Sequence, residues 1–78
     1  MPTPNQPPAP PACWKPALHQ PYFAILGDGS IQVFSWSDTP FDQGAWQFGN
    51  CFRTHREAER AREMLRQVLW AFHSDHER

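Results

Sequence analysis

The stretch YFAILGDGSIQVFSW, residues 22–36, decides how this chain folds. Tyr22 to Leu26 and Ile31 to Trp36 are rich in aromatic and β-branched residues, which favour strands. Between them lies Gly27-Asp28-Gly29-Ser30, and Asp-Gly flanked by such runs is a strong hairpin signal because both residues tolerate positive φ. In the second run Ile31 and Val33 point one way, while Phe34 and Trp36 point the other. Both faces therefore carry apolar groups. Either both are covered within the chain or one meets a partner.

Downstream of the hairpin, residues 37–44 read as a polar loop with one apolar insert, Phe41. Ala45-Trp46-Gln47-Phe48 is expected as a short third strand, ended by Gly49-Asn50. Thr54-His55-Arg56-Glu57 then matches a capping box and predicts a helix running to about His73. Along it Ala58, Ala61, Leu65, Val68 and Phe72 recur at spacings of three and four, with Met64 and Leu69 widening the stripe. This stripe is expected to be core. Glu57 with Arg60, Glu59 with Arg62 and Glu63 with Arg66 are expected ion pairs on the outer face.

Upstream, eight of the nine prolines fall within residues 2–21. Proline fixes its own φ and biases the preceding residue toward extended backbone, so helix is excluded there. The expected organisation is a Pro-rich extended arm over 1–21, followed by one small domain over 22–78. Trp14 suits an arm that docks on its own domain or on a partner better than a purely solvated tail. The fold class expected is α+β: an antiparallel hairpin or three-stranded sheet packed against one C-terminal helix.

Length and charge exclude several classes. A chain of 78 residues leaves no room for a cofactor fold or a large enclosed active site. Seven basic residues against eight acidic ones argue against a strongly basic nucleic-acid binder. Cys13 and Cys51 lack the spacing of a metal or redox pair, and a disulfide between them does not follow from spacing. His73 and His76, three apart near a chain end, make a poor closed metal site. No charged segment leads an apolar run as in a signal peptide, and no apolar stretch is long enough to span a membrane. Those readings favour a cytoplasmic, reduced protein without cofactor or metal. No serine elbow, activated cysteine or phosphate loop is apparent, which points away from catalysis.

Binding is the stronger expectation. Arg62, Arg66 and Trp70 follow one another at i, i+4 and i+8, with His73 alongside, on the flank of the helix away from the apolar stripe. Arg and Trp are frequent anchors of protein interfaces. The same groups suit an anion bearing a planar ring, or Trp70 simply closes an edge of the core. Trp36, Phe41, Trp46 and Phe48 add more aromatic surface than a domain of this size hides. Self-association or docking of the arm through Trp14 is the expected remedy. Trp36, Trp46, Arg62, Arg66 and Trp70 are the candidate partner-binding residues.

The run from Trp36 to Glu59 resembles short phage and prophage accessory proteins. In these a Gly-turn strand pair is followed by Trp, an acidic loop and G-N-x-F-x-T-x-x-E-A-E leading a helix. Trp36, Asp38, Asp42, Gly49, Asn50, Phe52, Thr54, Glu57, Ala58 and Glu59 carry the likeness, which covers roughly residues 22–70. The Pro-rich arm departs from the pattern. The resemblance implies an accessory protein of a mobile element that works by stoichiometric binding, inhibiting a host defence protein or nucleoprotein complex in an anti-CRISPR-like manner. Sequestration of a nucleotide signal and a structural, virion-associated role are the alternatives.

Overall fold

The structure, a computed structural model, describes residues 13–76. The proline-dense part of the expected arm, residues 1–12, lies outside the described residues. Four elements follow in chain order: β1 (Pro21–Ile25), β2 (Ile31–Ser35), α1 (Pro40–Gln47) and α2 (His55–His76). β1 and β2 form an antiparallel hairpin in which Tyr22 faces Phe34 and Ile25 faces Ile31. Hairpin plus helices make the fold α+β, as the sequence implied.

The turn closes with a division of labour between its two central residues. Gly29 alone adopts positive φ, at 86°. Asp28 contributes its carboxylate, which accepts from the Ser30 amide at 2.9 Å and the Ser30 hydroxyl at 2.7 Å. Only one of the Asp-Gly pair needed the left-handed region.

β1 is paired on both edges. β2 occupies one, and on the other Phe52 exchanges two backbone hydrogen bonds with Phe23, each 2.9 Å. Two residues along, the Asn50 side-chain amide takes the place of a strand: it donates to the Ile25 carbonyl and accepts from the Ile25 amide, both at 2.8 Å. The linker into α2 thus finishes the sheet edge with one residue of backbone and one side chain.

The expected strand at residues 45–48 is instead the end of α1. Thr39 is its N-cap, accepting from the Asp42 amide, while the Asp42 side chain accepts from the Thr39 amide, and Pro40 opens the first turn. This capping box, with a proline preset for a helix start, outweighs the β preference of Trp46 and Phe48. Asp42, which sequence placed on a loop, is buried.

The hairpin is sealed on one face and covered in part on the other, where Val33 stays exposed. Tyr22, Ala24, Trp36 and Cys51 form the buried cluster, with Trp14, Phe34, Ala45 and Trp46 packed around it. α1 and the segment just before β1 seal this face, and Pro16 is buried with them. On the opposite face α2 crosses the hairpin, where Phe23 meets His55 edge to face at 5.8 Å and Ala58 is fully buried.

α2 starts as expected, with the Glu57 amide donating to the Thr54 hydroxyl at 3.1 Å. The expectation that its apolar stripe is core holds only at the N-terminal end. Ala58 is buried and Ala61 partly so, but Met64, Leu65, Val68, Leu69 and Phe72 are all exposed. The reason is length. Twenty-two helical residues span roughly 33 Å, whereas strands of five residues cover about 17 Å. The outer half of α2 overhangs the body.

Candidate functional site

Two regions compete as sites, and they lie on opposite faces of the hairpin. The first is the sealed face. Tyr22 donates its hydroxyl to Asp42, whose second carboxylate oxygen accepts from the amides of Ser37 at 2.8 Å and Thr39 at 3.2 Å. Burial by itself would raise the Asp42 carboxyl, but the Tyr22 hydroxyl and these amides outweigh it and hold it at about 2. Burial and the Asp42 carboxylate together push the Tyr22 phenol well above its ordinary range. Neither group can trade protons near neutrality. The Asp42 carboxylate, with the neutral Tyr22 hydroxyl as its donor, is a fixed anchor for α1.

Around it the aromatic groups are occupied. Trp36 is only 3% exposed and meets Tyr22 edge to face at 6.0 Å. The Lys15 ammonium lies 4.7 Å from the ring centre of Trp46 and 5.7 Å from that of Trp36. Arg53 stands 5.4 Å over Trp14. Trp14 therefore docks on its own domain, held by core contacts and a cation–π partner. A cleft of about 270 Å³ remains beside it, lined by Cys13, Trp14, Cys51 and Arg53 among others. Both cysteines are free, and burial, followed by the nearby Asp42 charge, pushes the Cys51 thiol up to about 11. A thiol so placed is a poor nucleophile.

The second region is a cleft of about 1070 Å³ between the hairpin turn and the outer part of α2. Its floor is apolar, from Ile25, Phe52, Leu65 and Leu69, and Phe48 and Trp70 stand at its sides. Arg62 ties helix to hairpin, donating to the Gly29 carbonyl at 3.2 Å. Arg66 lies 5.4 Å over the Trp70 ring and 3.8 Å from Glu63. Trp70 is 67% exposed. Arg62, Arg66, Trp70 and His73 are thus brought together on one wall, as the helical spacing required.

The five candidate residues divide between these regions. Arg62, Arg66 and Trp70 share the open cleft, whereas Trp36 is core and Trp46 is half-buried against the core. Trp36 has no surface to offer a partner. Glu59, expected to pair with Arg62, instead meets His55 at 2.9 Å, which leaves Arg62 to the hairpin turn. Sequence reasoning missed Phe48 and Phe52 as wall and floor, and assigned Leu65 and Leu69 to the core. Periodicity marks the apolar face of a helix without saying what covers it.

Among the described residues no group of three or more His, Cys, Asp or Glu is placed to hold a metal ion. None of the described helices is long and apolar enough to cross a membrane. Compared with protein families, with characterised proteins and with solved structures, the chain matches none. Its class is a hairpin–helix α+β domain, and what it does has to be read from its own side chains.

Proposed function

We propose that this chain is a small non-enzymatic binding protein that acts by stoichiometric occlusion of a partner protein's surface. The exposure of Trp70, Leu69 and Phe48 around a cleft already walled by Arg62 and Arg66 carries the reading. Large apolar groups rimmed by arginine are the composition of interface anchors, and an exposed Trp is an uncommon cost for a domain that binds nothing. The resemblance of residues 36–59 to phage accessory proteins adds the setting: a phage-derived inhibitor working in the cytoplasm on a host defence protein or nucleoprotein complex. A protein partner is favoured over a nucleotide because Arg62 is committed to Gly29 and Arg66 already covers one side of Trp70.

The test is capture from a bacterial host lysate by the tagged full-length chain, compared with the R62A/R66A/W70A variant, followed by inhibition of the captured complex. Loss of both capture and inhibition in a variant that still melts cooperatively is the expected result. Undiminished inhibition by the triple variant would sink the assignment. A thermal-shift panel of nucleotides separates the alternative, since a tightly bound nucleotide raises the Tm by mass action.

A further inference from the structure

We propose that Cys13 and Cys51 are a redox-sensing pair, closed by a low-molecular-weight disulfide of the oxidised glutathione class into an intramolecular bond that fastens the Trp14 segment to the sealed face. This goes beyond the partner cleft and does not depend on it. Both thiols are free, and both line the cleft of about 270 Å³ beside Trp14. Gly49, at a φ of 83°, follows the C-cap of α1 and turns the chain back toward β1. The Cys13 Sγ lies 3.9 Å from where a side chain on Gly49 would begin, two residues before Cys51. The residue after each cysteine is fixed in place. Trp14 packs on the core beneath Arg53, and Phe52 exchanges backbone hydrogen bonds with Phe23. Cys13 is also near enough for its charge to add to the burial and the Asp42 carboxylate that raise the Cys51 thiol. Sequence separation hides this pair, and the fold brings it together.

Exposure sets the order of events, since Cys13 is exposed and Cys51 is buried. The Cys13 thiolate attacks the small disulfide, forming a mixed disulfide and releasing one thiolate. The Cys51 thiolate then attacks the Cys13 sulfur, forming the Cys13–Cys51 bond and releasing the second. The two cysteines give up two electrons and two protons, and the small disulfide is reduced to two thiols. A Cys51 thiol held high makes the second step slow near neutrality and faster as pH rises. The bond closes a loop that contains both strands and all of α1, so it removes much of the freedom of the unfolded chain. In a reducing compartment such a bond is transient and reports oxidation.

Incubation of the reduced, folded full chain with oxidised glutathione, followed by intact-mass measurement, thiol counting and thermal melting, tests this. The wild type is expected to lose both thiols, to fall in mass by two hydrogens with no glutathione retained, and to melt roughly 10 °C higher. Dithiothreitol is expected to restore the original mass and Tm. Cys51→Ala is expected to stop at a glutathione adduct on Cys13, and Cys13→Ser to gain no Tm under the same treatment. A wild type that keeps glutathione on Cys13 while Cys51 stays free would overturn the proposal. So would chains linked to one another through Cys13, or a closed form that melts no higher than the reduced one.

Discussion

On one face of the hairpin Tyr22, Trp36 and Cys51 are sealed beneath α1 and the Trp14 segment, with Asp42 fixed by three donors. On the other face α2 covers the sheet closely for about two turns and then only lines an open cleft with Leu65 and Leu69, while Met64 and Val68 stand exposed. The same chain thus contains a face that it finishes alone and one that it does not. Stability should depend on the first face, and association on the second. Substitutions that respect this division sharpen the comparison, and any that cross it break the account.

The largest effect is expected at Trp36. Replacing it with alanine empties the centre of the sealed face, and a cost of about 3–5 kcal/mol rivals the whole stability of a domain this small. Trp36→Ala should therefore be largely unfolded by far-UV dichroism at ambient temperature. Asp42→Ala comes next, at about 2–3 kcal/mol, since it strands the buried Tyr22 hydroxyl and the Ser37 amide without an acceptor.

The same carboxylate gives a pH dependence. Its folded value lies below the ordinary 3.8, so it stabilises the fold above about pH 4 and that contribution fades as pH falls toward 2. Urea midpoints for the wild type should drop over that window, and those of Asp42→Ala should drop less. Smallest is Val68→Glu, expected within about 0.5 kcal/mol of wild type in urea melts because Val68 is exposed.

What could be read from the sequence was local. Asp28-Gly29 announced the turn, and Thr54 with Glu57 announced the start of α2, because turn and cap chemistry act over three or four residues. α1 announced itself in the same way, through Thr39, Pro40 and Asp42, but the β-prone Ala45–Phe48 run masked it. The Tyr22–Asp42 bond spans 20 residues and the Asn50–Ile25 pair spans 25, so no spacing rule reaches them. The cleft was half legible: helical spacing alone put Arg62, Arg66 and Trp70 on one wall. Its floor comes from Phe52 and the hairpin, which only the folded chain brings beneath that wall. Helical spacing also drew the apolar stripe correctly while leaving open whether a sheet or a second molecule lies against it.

Native-state hydrogen exchange tests the division most directly. Amides of Tyr22, Ala24 and Phe34 are expected to be strongly protected. Those from Gln67 to Ser74 should exchange at least roughly ten-fold faster, because the outer part of α2 packs little against the sheet. Protection of 67–74 equal to that of β1 would contradict the account.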